Sequence, residues 1–267
     1  MTKSKWALAI ACMLLVWMSY FVPEIAQSNL PVNHNSNYKN SQNIEIHFQQ
    51  KEPDGSRRGR PTNRVGTGSR GTCASVVDVP TTALIPEKKI GLTVDENPSF
   101  WFFVPYESKD IPIGKFVLQN EADEEIYQTN FTLPNTPGVV SVTLPSTVPL
   151  ELNKDYQWYF KLYCSRQRLQ NPIFARGWMQ KIAIQPSLKD LLKSTNKPRQ
   201  RVAIYAENGI WYSALSELAK LRLNEAKNPI LIKDWKNLLG SVDLADLASK
   251  PIVGEVKKES GSLSILN

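Results

Sequence analysis

The segment from about Ala83 to Ile184 is divided into short runs rich in β-branched and aromatic residues, with Pro, Asn and Gly between most of them. The seven runs cover residues 90–94, 99–106, 115–119, 125–133, 139–144, 156–164 and 174–184. No helical period interrupts them, and this spacing is typical of antiparallel sheets. The sequence therefore predicts an antiparallel, immunoglobulin-like β-sandwich of about seven strands over residues 73–185.

The apolar period changes to that of helices after Gln185. Helices are predicted over about 187–193, 199–207, 210–224 and 230–239, with a last turn at 244–248. In the third, Trp211, Ala214, Leu215 and Leu218 form one apolar stripe. Gly209 provides a tight turn before it, because glycine accepts a positive φ. The chain is therefore predicted to be mainly β plus α. A small helical region with a helix hairpin (186–250) packs on the sandwich, and a flexible tail (251–267) follows.

The N-terminus has the composition of an export signal. Lys3 and Lys5 precede an apolar run over residues 6–22, and small residues stand at Ala26 and Ser28. We therefore predict a signal peptide over residues 1–28 and a periplasmic or extracellular protein. The alternative is an uncleaved anchor, since the 17-residue run is at the short limit for a membrane span. Membrane contact is expected only through such an uncleaved signal.

Residues 29–72 are predicted to be a disordered basic linker. They contain seven Lys or Arg against three acidic residues, whereas residues 73–267 contain 23 against 21. The basic charge therefore lies mainly in the linker, and we expect no nucleic-acid partner. One apolar island interrupts the linker, where Ile44, Ile46 and Phe48 alternate with polar residues as in a short docking strand.

Cys73 and Cys164 are the two cysteines that follow the signal. In an oxidising compartment such a pair favours a disulfide, and the alternative is two buried thiols. A bridge closing a loop of this length stabilises by roughly 4 to 5 kcal/mol in the chain-entropy model.

The sequence contains no recognisable catalytic, cofactor-binding or metal-binding set. Its two histidines, His34 and His47, both lie in the predicted linker. The string from Gly66 to Gly71 matches G-x-G-x-x-G but lacks the strand-to-helix context of a dinucleotide site. No cofactor and no enzymatic activity are therefore expected. A pair of carboxylates for glycoside hydrolysis stays open, because their separation is a spatial property.

Aromatic side chains are the remaining candidates for binding. Neighbouring residues of a strand face opposite sides, so pairs such as Trp101-Phe102 and Trp158-Tyr159 cannot both enter one core. Either the helices cover the outer side of the sheet, or some rings contact a partner protein or a sugar. The possible interaction residues are Trp101, Trp158, Trp178 and Trp211.

Several motifs agree in order with one known family over about residues 71–250. They are GTC at 71, PSFWFFVPY at 98, TPGVVSVTLP at 136, LELNKDYQWYFKLYC at 150, GW at 177, YAENGIWYSAL at 205 and WKNLL at 235. This pattern resembles the cyanobacterial family called domain of unknown function 928. The resemblance implies an exported cyanobacterial protein without an established activity, and it assigns no residue a role.

These observations predict an exported, non-enzymatic protein of the cell envelope that acts as a protein-interaction or scaffold module. Its partner is an unknown envelope protein or a polysaccharide. The alternative is a carbohydrate-binding domain that uses strand aromatics, and a hydrolase of envelope polymers ranks below both.

Overall fold

The structure, a computed structural model, describes residues 44–50, 62–67, 78–87, 90–167 and 169–259. Its strands are β1 (Asn63–Thr67), β2 (Thr82–Ala83), β3 (Gly91–Thr93), β4 (Ser99–Val104), β5 (Ile113–Gln119), β6 (Glu125–Thr132), β7 (Gly138–Thr143), β8 (Asp155–Tyr163), β9 (Ile173–Lys181), β10 (Ile252–Glu255) and β11 (Lys257–Lys258). The helices are α1 (Pro186–Ser194), α2 (Pro198–Glu207), α3 (Trp211–Asn224) and α4 (Pro229–Gly240).

The eleven described strands form one continuous sheet. Its order is β10-β7-β4-β2-β1-β9-β8-β5-β6-β11, and β3 pairs with β9 outside this path. The pairs β3–β9 and β7–β10 are parallel, while the others are antiparallel. Only Val256 separates β10 from β11, although these strands lie at opposite ends of the order. The two edges must therefore approach each other, and the sheet is nearly barrel-shaped.

The prediction of a β-rich chain with C-terminal helices is confirmed. All seven predicted strands and four predicted helices are present, each within three residues of its predicted bounds. The arrangement of the strands differs, because β1 pairs with both β2 and β9 and joins the strands into a single sheet. Part of the predicted linker therefore forms β1, and part of the predicted flexible tail forms β10 and β11.

Aromatic rings from opposite parts of the sheet meet in its interior. Phe102 on β4 stacks on Phe160 of β8 with ring centroids 3.9 Å apart, and Phe100 lies 4.9 Å from Phe116 of β5. Gly177 on β9 leaves room for the ring of Trp158, since a Cβ at that position would lie 2.3 Å from Trp158 Cζ2. The interior is thus filled by rings from alternate positions of each strand.

Helix α3 packs on β3, β4 and β10. Its Tyr212 hydroxyl accepts a hydrogen bond from Trp158 Nε1 at 2.8 Å and donates one to the Trp178 carbonyl at 3.1 Å. Trp211 Nε1 donates to the Leu84 carbonyl at 2.8 Å, and Trp101 Nε1 donates to Ser216 Oγ at 3.1 Å. The polar atoms of these buried aromatics are satisfied, so the rings add apolar burial without an orphaned donor.

The turn between α2 and α3 depends on Gly209, whose φ of 73° lies in the left-handed region. The Gly209 N–H donates to the Ala206 carbonyl at 3.1 Å, and the Ile210 N–H donates to the Tyr205 carbonyl at 2.9 Å. A residue with a Cβ is strained at such a φ, and the predicted use of glycine here is confirmed.

The apolar island of the predicted linker packs against the helices. Ile46 is fully buried, and Phe48 meets Trp211 edge to face with centroids 4.8 Å apart. The backbone N–H of Gln49 donates to the Ala206 carbonyl at 3.0 Å. Residues 44–50 are therefore docked with alternating burial, as predicted, although they form no regular strand.

A buried ion pair connects this segment to α2 and α4. Arg199 donates from Nε to Asp234 Oδ2 at 2.6 Å and from Nη2 to Asp234 Oδ1 at 3.0 Å. Nη2 also donates to the Ile44 carbonyl. The Asp234 side chain is only 2% exposed, so its charge depends on this bidentate partner.

Several predicted features lie outside the described residues, among them the signal peptide (1–28), His34 and Cys73. Cys164 follows β8 and packs half-buried against the core, while its bridge to Cys73 stays a prediction. Among the residues that the structure does describe, no helix combines the length and the apolar character needed to cross a membrane.

Replacing Arg199 by Met should destabilise the protein by about 3–5 kcal/mol, because it leaves the Asp234 carboxylate buried without its counter-charge. A matched control is Arg201→Met. Its partner Glu217 is 31% exposed, so that loss should stay below about 1 kcal/mol. Urea unfolding followed by tryptophan fluorescence measures both. Equal losses of unfolding free energy in the two variants would show that the buried Arg199–Asp234 pair stabilises the protein no more than the exposed pair.

Candidate functional site on the outer sheet face

Three of the four predicted interaction tryptophans fill the interior. Trp101, Trp158 and Trp211 are all nearly or fully buried, and each indole N–H has a protein acceptor. Strand β4 is buried on both faces, since Trp101 meets α3 while Phe100 and Phe102 face the sheet interior. For these residues the prediction that helices cover the sheet is correct, and their rings are closed to an outside ligand.

The alternate residues of β5, β6, β8 and β9 point away from the core. On β8, for example, Trp158 and Phe160 are in the core, whereas Tyr159 and Lys161 are only half-buried. We define the outer face as the side chains on this side of the four strands. They are Lys115, Val117, Gln128, Asn130, Gln157, Tyr159, Lys161, Tyr163, Phe174, Arg176 and Trp178.

Strand register arranges most of these side chains in two adjacent rows. One row runs Gln128, Val117, Tyr159, Arg176, and the other runs Asn130, Lys115, Lys161, Phe174. Cross-strand partners have Cβ atoms about 4.5–5.5 Å apart. Amides, cations and aromatic rings are therefore neighbours over a patch four strands wide.

The outer face has a small apolar layer of its own. Val117, Tyr163 and Trp178 are buried, but none of them belongs to the main core cluster. The extensive helix–sheet contacts of the described residues are made by α3 on β3, β4 and β10. The helices thus pack on other strands. Trp178 is the predicted interaction residue that the structure places on the outer face, where it is 8% exposed.

Positive charge is concentrated at the centre of the outer face. Lys115 and Lys161 are direct cross-strand partners, and Lys161 Nζ lies 5.2 Å from the centroid of the Tyr159 ring. Burial lowers the pKa of Lys161, and the nearby Lys115 charge lowers it further, while Glu125 acts in the opposite direction. Arg176 adds a third cation, and its Nε is shielded from solvent and has no hydrogen-bond partner among the described residues.

Hydrogen bonds hold some of the surrounding groups in place. The Tyr159 hydroxyl donates to Gln157 Oε1 at 2.9 Å, which fixes the ring against the strand. At the end of the face, Gln180 Nε2 donates to Asp155 Oδ1 at 2.7 Å. The ring of Tyr159 is therefore oriented before any ligand arrives, which lowers the entropic cost of binding.

A second polar cluster lies between β3 and α3. Ser213 Oγ accepts a hydrogen bond from the Val94 N–H at 3.3 Å and lies 3.4 Å from Thr93 Oγ1. Burial raises the pKa of the neighbouring Asp95, and the charge of Glu217 adds to this rise. The Ser213 hydrogen bond and the charge of Lys220 oppose it. The net effect is an Asp95 pKa above its ordinary value, with burial as the largest cause.

Other predicted features give no further site. His47 is exposed and lies 3.4 Å from Glu45, outside the sheet and helices. Within the described ranges, no group of three or more His, Cys, Asp or Glu side chains is placed to hold a metal ion. Gly66, the first glycine of the G-x-G-x-x-G string, lies within β1 and donates its N–H to the Thr81 carbonyl at 2.6 Å.

The signal that could have identified the outer face is the parity of the strands. In β8 the alternation of Trp158, Phe160 and Leu162 indicates the buried parity, although Tyr159 and Tyr163 place aromatic residues on the outward parity as well. Lys161, Arg176 and Lys115 share the outward parity through the register, which only the paired structure reveals.

The fold and the candidate site together define a β-rich module in which the described helices leave one face of the sheet uncovered. The chain belongs to the family Domain of Unknown Function (DUF928), whose model matches residues 65–252. The predicted family membership is thereby confirmed. The match begins in β1 and ends at the first residue of β10, so it includes the outer face and all four helices. A comparison with curated proteins gives no match.

Asp95→Asn should raise stability at neutral pH. The folded-state pKa of Asp95 lies above its ordinary value of 3.8, so ionisation as the pH rises through the folded pKa disfavours the folded state. Below pH 3.8 the carboxyl is neutral in both states, so the advantage of the variant should vanish there. Thermal unfolding across pH, with exposed Asp190→Asn as the control, tests this. A constant difference at all pH values would contradict the assignment.

Proposed function

We propose that the chain is an exported, non-enzymatic module of the cell envelope that binds a polysaccharide through the outer face. The observation that carries the proposal is the two adjacent rows of amide, cationic and aromatic side chains on strands outside the helical packing. The binding residues shift from the tryptophans predicted from sequence to their strand neighbours, above all Tyr159 and Phe174.

The chemistry of these rows suits a sugar chain. Aromatic rings present an apolar face with a polar rim, which matches the C–H faces of a sugar. Side-chain amides such as that of Gln128 can donate and accept at once, as sugar hydroxyls also do. Neighbouring strands are about 4.8 Å apart, so one row offers regularly spaced contacts to an extended ligand.

A partner protein is the second candidate, and the helical region supports it. Leu223 at the end of α3 and Ile230 and Ile232 on α4 are apolar side chains that are 40%, 47% and 43% exposed. Helices α3 and α4 contact each other, and exposed apolar side chains on neighbouring elements can serve as contacts for a partner protein. In this reading the chain is a scaffold whose partner packs against α3 and α4.

The finer description of the fold is also a proposal. We infer that the two halves of the sheet pack face to face like the layers of a sandwich, supported by the stacking of Phe102 on Phe160 and of Phe100 near Phe116. Helices α2 and α3, joined at Gly209, form a helical hairpin.

The proposed export predicts a cleaved N-terminus and a disulfide bridge in the mature protein. Expression with the native N-terminus should yield a chain that begins at Asn29, and non-reducing digests should join the peptides of Cys73 and Cys164. N-terminal sequencing and peptide mass spectrometry measure the two properties. Retention of residues 1–28 in the membrane fraction would support the uncleaved anchor instead. Separate peptides before reduction would exclude the bridge.

Tyr159→Ala and Phe174→Ala should each weaken polysaccharide binding by about fivefold, because a stacked ring contributes roughly 1 kcal/mol. Affinity electrophoresis through gels containing envelope polysaccharides measures the change. Leu169→Ala is the control, since Leu169 is 50% exposed in the loop between β8 and β9. Circular dichroism should show that all three variants remain folded.

Two results would contradict the polysaccharide proposal. One is the absence of retardation in any envelope polysaccharide. The other is retardation that neither ring substitution changes. If cross-linking then captures a protein through Ile230 or Ile232, the second candidate replaces the first.

A further inference from the structure

We propose that the ligand of the outer face is an acidic polysaccharide, whose anionic groups bind among Lys115, Lys161 and Arg176. This inference rests on the proposed function and adds a ligand class to it. Its basis is the arrangement of charge on the outer face, independent of the aromatic rings.

The three cations are neighbours by strand register. Lys115 and Lys161 are direct partners across β5 and β8, so their Cβ atoms are about 4.5–5.5 Å apart. Arg176 pairs with Tyr159, two residues from Lys161, and therefore stands diagonal to it across β8 and β9. Diagonal neighbours are about 7–8 Å apart, within reach of long side chains. A single carboxylate or sulfate group can therefore contact more than one cation.

Among the residues that the structure describes, little negative charge compensates these cations. Glu125 is the acidic group whose charge acts on Lys161, whereas Lys115 and burial both disfavour the Lys161 cation. Like charges directly opposite each other on neighbouring strands destabilise a sheet. Asp155, the carboxylate of β8 itself, accepts a hydrogen bond from Gln180 at the end of the strand. A bound anion would relieve the repulsion between the lysines, and it could accept from Arg176 Nε, which has no acceptor within the described ranges.

The groups around the cations favour an acidic sugar over an acidic protein segment. Each row combines cations with one amide and one ring, Gln128 with Tyr159 and Asn130 with Phe174. Anionic groups on a sugar chain bind the cations, its hydroxyls bind the amides, and its rings lie on the aromatic side chains. An acidic peptide would use the cations and would leave the amide-and-ring pairs without a specific role.

The test uses pairs of polymers that differ only in charge. Polygalacturonate and its fully methyl-esterified form share one backbone, and dextran sulfate and dextran form a second pair. The full-length protein should bind one or both of the acidic forms at least about tenfold more tightly than the neutral form, as expected for charge-assisted hydrogen bonds. The acidic form it prefers tells whether carboxylate or sulfate groups are recognised.

The double variant Lys115→Gln/Lys161→Gln should lose this preference, so that it binds the acidic and the neutral forms with equal affinity. The matched control is Lys189→Gln/Lys193→Gln, which makes the same change in net charge at exposed positions on α1. Equal losses in both double variants would show general charge attraction and overturn the inference. Equal affinity for poly-glutamate and polygalacturonate would overturn it as well, in favour of an acidic protein partner.

Failure of the inference and failure of the proposed function give different results. If the acidic and neutral forms bind equally and Tyr159→Ala still weakens both, the polysaccharide function stands and the charge preference is refuted. If the wild-type protein binds none of the four polymers or the envelope polysaccharides, both are refuted.

Discussion

The hydroxyl of Tyr212 is the contact on which the rest of the structure depends. It accepts from Trp158 in the sheet interior and donates to the Trp178 carbonyl on β9, so one side chain of α3 holds two adjacent strands. Burial raises the pKa of Tyr212, which keeps the phenol neutral and able to make both bonds. Gly91 admits this ring, because a Cβ there would lie 2.4 Å from Tyr212 Cε2. A side chain at position 91 would clash with the Tyr212 ring, so glycine there allows α3 to pack closely on β3.

The position of α3 decides which aromatics are core and which are surface. Helix packing on β4 places Trp101 in the interior, so β4 is buried on both sides. Strands β5, β6 and β8 receive no comparable packing from the described helices, and outward residues such as Lys115, Tyr159 and Lys161 remain half-buried. These helices do not cover the outer face, and its lysine and amide side chains are suited to contact with water. The same side chains carry the proposed binding of an anionic ligand, so contact with water and the proposed binding depend on the same residues.

The elements with a strong local signal could be predicted from sequence, and those defined only by pairing could not. Strand β8 contains five aromatic residues among its nine positions, a strong β signal, whereas β2 and β11 have two residues each. Strand β10 joins the sheet as a parallel neighbour of β7, a long-range contact without a turn signal. The candidate site shows the same limit. Parity separates Trp158 from Tyr159, but the glycine that makes room for Trp158, Gly177, lies on another strand.

The docked segment 44–50 extends the folded unit beyond the family match, which begins at residue 65. Ile46 is as fully buried as any residue of the sheet interior, and the Ile44 carbonyl shares the Arg199 guanidinium with Asp234. Removing the segment would expose apolar surface around Trp211 and take one acceptor from Arg199. The helical surface under this segment therefore needs a cover that the family region itself does not supply. In this chain residues 44–50 supply that cover, packing Ile46 and Phe48 against the helices.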